Sequence, residues 1–429
     1  MKINIIITFL LFSLISCTEN SLINLKLPVT GGLIEGSAEG DLRKYLGIPY
    51  AAPPVGDLRW SPPQPLNAWS GIKDASVNSN ICYQPNQPSE FYDRGPDQST
   101  MSEDCLTLNI WTRASTTKEN LPVMVWIHGG ALVWGSGSEY KGEELTKRDV
   151  ILVTVNYRLG PLGFFAHQEL NDENNGHSGN QGFRDQIAAL EWVQSNISKF
   201  GGNPENVTIF GESAGSWSVN VLQASPLSQG LFHKVIGQSG ARLLPLTHLT
   251  TATDYSESAL EVGLNLTKII SNKKTTALGD LRNLSAEEII KKVEMDPFYS
   301  TTFDTLTIID GDVLPEAISE IFSKGNQANT PVLIGSTADE ATTFDPKMLA
   351  PEFAQFLKYS ELTKTSINQM LPKVDKKIFD YYPTNNEEIA KESWINFTTD
   401  VMFTAPMQDW GNLMSVSYTH LRAHETFAN

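Results

Sequence analysis

Short apolar runs recur through the chain, and most of them are bounded by turn residues or by stretches with helical periodicity. They lie at residues 123–127, 151–155, 207–210, 234–237 and 331–335. Continuous apolar segments of this length are typical of strands buried on both faces, as in a parallel sheet. The pattern therefore predicts a parallel sheet whose strands alternate with helices.

One helix is clearly marked before the third of these runs, because its apolar residues recur at spacings of four and three and Gly-Gly-Asn-Pro at 201–204 ends it. These residues are Phe183, Ile187, Leu190, Val193 and Ile197. Residues 250–300 and 351–396 are rich in helix formers, and we interpret the first of these as a helical insertion over the sheet. The predicted fold class is α/β, with a mostly parallel central sheet, helices on both faces and a helical insertion.

The first residues have the pattern of an export signal. Lys2 precedes a mostly apolar run over 3–15, which is shorter than the roughly 20 residues that span a bilayer. The residues just before Cys17 resemble a bacterial lipobox, which predicts a signal peptide over 1–16, a lipid on Cys17 and a tether over 17–30. The alternative is an ordinary cleaved signal with an incidental cysteine. We expect an exported protein, anchored by its lipid to the outer membrane or to the periplasmic face of a bacterial envelope membrane.

Charge and cysteine content narrow the function classes. The chain has 32 basic and 49 acidic residues and a net charge of −17, which argues against nucleic-acid binding. Three cysteines are too few for a disulfide scaffold. In an oxidising compartment, Cys82 and Cys105 can pair if Cys17 carries lipid. The alternative is two reduced, buried cysteines.

Residues 211–215 match the pattern G-x-S-x-G, directly after one predicted strand and before a helical stretch. A sharp strand-to-helix turn of this kind exposes the oxygen of its serine, here Ser213, and needs glycines where backbones pass closely. Upstream, His128-Gly129-Gly130-Ala131 follows another strand, and small residues there let backbone N–H groups point at a substrate carbonyl. Either cluster alone fits a plain tight turn, but the two in this order favour a serine hydrolase.

Longer motifs accompany these two clusters, at residues 45–60, 103–111, 156–158, 179–186 and 200–204. Together they resemble the type-B carboxylesterases, a family of α/β-hydrolases that includes cholinesterases and bacterial nitrobenzyl esterases. The resemblance covers roughly residues 28–412.

The resemblance implies a role for each matching residue. Ser213 would be the nucleophile, and the N–H groups of Gly130, Ala131 and Ala214 would form the oxyanion hole. Glu340 would be the acid of the catalytic triad, with Asp339 as a weaker candidate and a surface carboxylate as the alternative. Cys82 and Cys105 align with the first disulfide of the family, and Arg59 and Glu103 align with a structural salt bridge. Glu212 would belong to the scaffold.

The histidine base of the triad is the missing part. It should follow the acid in sequence, and of the seven histidines only His420 and His424 follow Glu340. The family pattern ends near Met414, and residues 417–426 resemble translated sequencing-adapter read-through. We therefore expect a non-native tail over 415–429, a hydrolase domain over 31–414 that is incomplete at its C-terminus, and an inactive chain with apolar sheet surface left uncovered.

The predicted function is hydrolysis of small-molecule carboxylic esters through an acyl-enzyme, with no metal or organic cofactor required. In the family that the chain resembles, the aromatic site for a substrate cation lies in the first disulfide loop and uses a tryptophan. The segment between Cys82 and Cys105 contains Phe91 and Tyr92 but no tryptophan, so the resemblance implies a general carboxylesterase and not a choline-specific enzyme. The main alternative is a non-catalytic adhesion or binding member of the same fold. A lactonase or carbamate hydrolase would use the same chemistry.

Overall fold

The computed structural model describes residues 23–85, 100–253, 256–272, 274–294, 306–349, 355–371 and 373–417. The predicted signal peptide, Cys17, His420 and His424 lie outside the described residues, as does most of the predicted tail. In the part that is described, no helix is both long enough and apolar enough to cross a membrane.

The strands are β1 Lys26–Val29, β2 Gly32–Glu35, β3 Ser37–Glu39, β4 Leu42–Pro49, β5 Ile72–Asp74, β6 Thr107–Thr112, β7 Leu121–Ile127, β8 Ile151–Val155, β9 Gly202–Glu212, β10 Lys234–Gln238, β11 Thr247–His248, β12 Ile308–Ile309 and β13 Val332–Gly335. The helices are α1 Gly160–Gly163, α2 Gln168–Glu173, α3 Gln181–Asn196, α4 Ala214–Ala224, α5 Ala259–Ile270, α6 Leu278–Arg282, α7 Ala286–Glu294, α8 Ile318–Ser323, α9 Pro346–Leu349, α10 Tyr359–Met370, α11 Ile378–Tyr381, α12 Glu387–Thr399 and α13 Ala405–Ser417. A π-helical segment, Asp400–Thr404, joins α12 to α13.

The central sheet has eight strands in the order β13-β10-β9-β7-β8-β6-β4-β3. The first five are parallel neighbours, and they are the five strands that the apolar runs predicted. The remaining three, β6, β4 and β3, pair antiparallel at the other edge. The sheet is therefore mostly parallel, and the carboxyl ends of β7, β9, β10 and β13 meet at one edge, where α/β sheets bind their ligands.

Side chains of the central strands alternate between two buried clusters, one on each face of the sheet. On β7, Val123, Val125 and Ile127 belong to the larger cluster, to which α3 and α4 also contribute. Met124 and Trp126 belong to the second cluster, which includes Leu145 from a short 3-10 helix and is otherwise built from strand and loop residues. The predicted helix is confirmed as α3, and its apolar residues are buried.

The predicted helical insertion is confirmed as α5, α6 and α7. These helices share a separate cluster of buried side chains with α1, α2 and Trp60, so the insertion packs on the helices that follow β8. Arg59, next to Trp60, also contacts the insertion. Its Nη1 donates to the carbonyl oxygen of Leu284, between α6 and α7, at 2.6 Å. Its Nε and Nη2 each lie 2.6 Å from a carboxylate oxygen of Glu103, which confirms the predicted structural salt bridge.

Candidate active site

Ser213 stands between β9 and α4 in a backbone conformation that L-residues rarely adopt, with φ 54° and ψ −121°. Conformations of this kind cost about 1–3 kcal/mol and persist where the surroundings enforce them. Here the Ser213 N–H donates to the carbonyl oxygen of Gln238 at 2.9 Å, and its own carbonyl accepts from Trp217 at 3.0 Å. The strand-to-helix turn that the motif predicts is therefore present.

The two flanking glycines are required by close backbone contacts. A Cβ on Gly211 would lie 2.4 Å from the carbonyl carbon of Gly215, and a Cβ on Gly215 would lie 2.1 Å from the carbonyl oxygen of Ile127. Real Cβ atoms do not approach backbone this closely, so any larger residue would push β9, α4 and β7 apart. These contacts give the physical reason for the G-x-S-x-G spacing.

The loop after β7 lies directly against Ser213. A Cβ on Gly129 would be 3.3 Å from the Cβ of Ser213 and 2.7 Å from the carbonyl oxygen of Glu212. Gly130 has φ +96°, and Ala131 and Leu132 follow with φ 56° and 62°. Positive φ at two consecutive non-glycine residues is costly, which marks this loop as a second strained segment at the same edge of the sheet.

Among the backbone N–H groups at this edge that have no acceptor within the described part of the chain are those of Gly130, Ala131 and Ala214. The first two lie in the loop over Ser213, and the third opens α4, whose first N–H groups have no partner within the helix. Backbone donors left open beside a serine are what binding an oxyanion requires. The structure thus brings the four residues predicted for nucleophile and oxyanion hole to one place.

Glu340 follows β13 at the same edge of the sheet. One of its carboxylate oxygens accepts the Thr337 N–H at 2.7 Å, and the next residue, Ala341, donates its N–H to the Thr399 hydroxyl at 3.1 Å. The rings of Phe344 and Phe403 stack beside it, with centroids 5.9 Å apart. The loop that carries Glu340 is thus held by the end of α12 and by the π-helical segment.

The Glu212 side chain, which is partly exposed, interacts electrostatically with the carboxylate of Glu340. Desolvation, and then the negative charge of Glu340, raises the pKa of Glu212 to about 7. A Cβ on Gly129 would lie 3.1 Å from a Glu212 carboxylate oxygen, so Glu212 also faces the oxyanion loop. The sequence analysis assigned Glu212 to the scaffold and did not predict this pair of carboxylates. In the sequence, only the position of Glu212 next to Ser213 could have indicated that it lies in the site.

None of the five described histidines is hydrogen-bonded to Ser213. His167 and His177 contact the carbonyl oxygens of Thr276 and Asp310, and His233 accepts the Val207 N–H. His248 is exposed on β11, and His128 is buried beneath the oxyanion loop with its Nδ1 2.8 Å from the Gly129 carbonyl oxygen. Burial lowers the pKa of His128 to about 4.

Cys82 and Cys105 are joined in a disulfide, with their Cα atoms 5.1 Å apart. The bond lies beside the Arg59–Glu103 salt bridge, since these four residues line one small cavity. Phe91 and Tyr92, in the segment that the bond closes, lie outside the described residues.

Several curated proteins resemble this chain. Fumonisin B1 esterase of Sphingopyxis macrogoltabida is 39% identical over 331 residues, which are 76% of this chain and 58% of that protein. Para-nitrobenzyl esterase of Bacillus subtilis (strain 168) is 37% identical over 92% of this chain and 75% of its own length. Cocaine esterase of Homo sapiens is 39% identical over 80% of this chain and 60% of its own length. The chain thus spans less than two thirds of the first and third of these relatives.

Solved structures of carboxylesterases also resemble this chain. The Geobacillus stearothermophilus carboxylesterase EST55 superposes with a TM-score of 0.75 at 32% identity, over 92% of this chain and 78% of its own. A PNB esterase structure gives a TM-score of 0.72 at 33% identity, over 91% of this chain and 78% of its own. These neighbours share the α/β-hydrolase fold. The sequence model described as the carboxylesterase family matches residues 21–425, and the chain therefore belongs to that family.

Proposed function

We propose that the function of this hydrolase domain is to hydrolyse carboxylic esters of small molecules, with Ser213 as nucleophile and Glu340 as the acid that orients the base. The observation that carries the proposal is the group of open N–H donors of Gly130, Ala131 and Ala214 beside a strained, partly exposed serine. The relatives are named for fumonisin B1, para-nitrobenzyl and cocaine as substrates, which differ widely and share the ester group. The proposal therefore names esters as a class.

In the proposed reaction, the Ser213 oxygen forms a bond to the acyl carbon and its proton passes to a histidine. The carbonyl electron pair moves onto oxygen, where the N–H groups of Gly130, Ala131 and Ala214 bind it. The ester C–O bond then breaks, and the histidine returns the proton to the departing alcohol. Water repeats the sequence on the acyl-enzyme and releases the acid.

Labelling with a fluorophosphonate tests the nucleophile. In an active preparation of the protein, we expect the probe on Ser213 and no labelling of Ser213→Ala. Ser216→Ala is the matched control and should still be labelled, because the Ser216 hydroxyl is buried and donates to the Gly240 carbonyl. A wild-type protein that stays unlabelled at Ser213 would favour the non-catalytic alternative.

We further propose that the base is neither His420 nor His424, because residues 417–426 resemble translated sequencing-adapter read-through, although the family model extends to residue 425. The 429-residue chain should then turn over p-nitrophenyl esters only at a small residual rate. His420→Ala and His424→Ala should leave that residual rate unchanged. Loss of turnover in either variant would identify the base within this chain and overturn this part of the proposal.

We also propose that the protein is exported and anchored by a lipid on Cys17. Labelled palmitate should be incorporated by cells that express the wild-type protein and not by cells that express Cys17→Ala. Wild-type protein that is processed without taking up the label would show that the signal is an ordinary cleaved one.

A further inference from the structure

The three proposed oxyanion donors lie on three peptide groups, and each group is fixed through its carbonyl oxygen. The Gly130 carbonyl, which precedes the Ala131 N–H, accepts from Val133 and Trp134 at 2.9 and 2.8 Å. The Ser213 carbonyl, which precedes the Ala214 N–H, accepts from Trp217 at 3.0 Å. In both cases the partner is a backbone N–H group, which no side-chain substitution removes.

The third peptide group is held by a side chain. The Gly129 carbonyl, which precedes the Gly130 N–H, lies 2.8 Å from Nδ1 of His128. The His128 ring is itself fixed, because it stacks on Tyr157 with centroids 4.4 Å apart and an interplanar angle of 20°. The Tyr157 hydroxyl also donates to the His128 carbonyl oxygen at 2.8 Å.

Peptide geometry turns this bond into a constraint on the site. In a trans peptide, the C=O and the following N–H point in opposite directions, and none of the described peptide bonds is cis. A Gly129 carbonyl directed at the imidazole therefore directs the Gly130 N–H away from it. Gly130, at φ +96°, has no side chain to restrict rotation of this peptide, so a loop without the bond would be free to turn the donor aside.

We propose that His128 is a positioning residue, which aims the Gly130 N–H at the oxyanion through its hydrogen bond to the Gly129 carbonyl. The inference rests on the proposed function, because it assigns a purpose to a residue that never touches the substrate.

The protonation of the ring is settled by its neighbours. A carbonyl oxygen only accepts, so Nδ1 must carry the proton. Nε2 is buried without a partner among the described residues, which disfavours a second proton there. His128 is thus a neutral donor with one tautomer, suited to a fixed mechanical role and unsuited to proton transfer.

The sharpest test compares esters with thionoesters, in which sulfur replaces the carbonyl oxygen. Sulfur accepts hydrogen bonds poorly, so an intact oxyanion hole favours the ester strongly, and loss of a single donor costs about 10²–10³ in kcat. In an active preparation of the protein, we expect His128→Phe to lower kcat for the ester at least 10-fold and to change KM less than about 3-fold. We also expect it to lower the ester-to-thionoester rate ratio.

His128→Asn should restore most of kcat and of the rate ratio, because the asparagine amide can place a donor near the position of Nδ1. His233→Asn is the matched control, since His233 is bonded to Val207 in the middle of β9, and it should leave both unchanged. An equal fall of both rates in His128→Phe, with no change in their ratio, would show that His128 only supports the fold and would overturn the proposal.

A measurement on the wild-type protein covers the case in which His128→Phe does not fold. The ring ¹⁵N signals of His128 should report protonated Nδ1 and unprotonated Nε2 throughout neutral pH. The opposite tautomer would overturn the proposal, because Nδ1 could not then donate to Gly129. Failure of the proposed function is distinguishable, since wild-type protein would then show no labelling of Ser213 whatever the tautomer of His128.

Discussion

At the residue scale, the carboxylate of Glu212 next to Ser213 interacts with that of Glu340, and the pKa of Glu212 can be measured through its effect on stability. The pKa of Glu212 is raised from 4.5 to about 7, by desolvation first and by Glu340 second. The folded state therefore binds this proton more tightly than the unfolded state does. The contribution of Glu212 to the free energy of unfolding is largest below about pH 4.5 and is lost as pH rises to about 7.

Glu212→Gln should remove this dependence. The free energy of unfolding of the variant, relative to wild type, should rise between pH 4.5 and pH 7 and level off above it. Urea unfolding at several pH values measures the difference. Glu191→Gln, at an exposed position on α3, is the control and should give a difference that is flat with pH. A flat difference for Glu212→Gln as well would mean that its pKa is ordinary.

Apolar runs predicted the five parallel strands at the element scale but missed the antiparallel β4 and β6. Every residue of β6 is buried, yet three of its six residues are polar. Their polar groups are satisfied internally: Asn109 donates to Thr154, for example, and the Thr112 hydroxyl donates to the Phe200 carbonyl. A hydropathy pattern cannot reveal a strand whose burial depends on such distant partners.

The loop that carries Glu340 shows the same limit within the site. Its motif predicted the residue, but its support by Thr399 joins positions 58 apart in sequence. Thr399 is the last residue of α12 and directly precedes the π-helical segment, and π-helical turns are frequent at functional sites. No local pattern around Glu340 points to Thr399, so this contact could only be found in the folded chain.

Thr399→Val should weaken this support. It leaves the buried Ala341 N–H without its acceptor, which costs about 1–3 kcal/mol of the free energy of unfolding. In an active preparation of the protein, kcat should fall while KM changes little, because the role proposed for Glu340 is to orient the base and not to bind substrate. Thr399→Ser keeps the hydroxyl and should restore kcat; if it behaves like Thr399→Val, the hydrogen bond is not what positions the loop.

At the scale of the whole molecule, distant segments are tied to one another around the helical insertion. Arg59 lies in the motif at residues 45–60, bonds Glu103, and donates to the carbonyl oxygen of Leu284, between α6 and α7 of the insertion. Cys82 and Cys105 are joined beside this salt bridge. The family resemblance predicted both pairs, whereas composition alone left the cysteines open to two interpretations, because it carries no information about which residues meet.

The Cys82–Cys105 disulfide should therefore contribute to global stability. The cysteines are 23 positions apart, and closing a loop of this size is worth about 3 kcal/mol by restricting the unfolded chain. Urea unfolding of wild-type protein should shift to lower urea when dithiothreitol is added. The Cys82→Ala/Cys105→Ala variant should unfold near the reduced wild type and should not respond to dithiothreitol. A wild-type protein that is equally stable with and without reductant would show that the two thiols stay unpaired in solution, and the export argument would then lose its cysteine support.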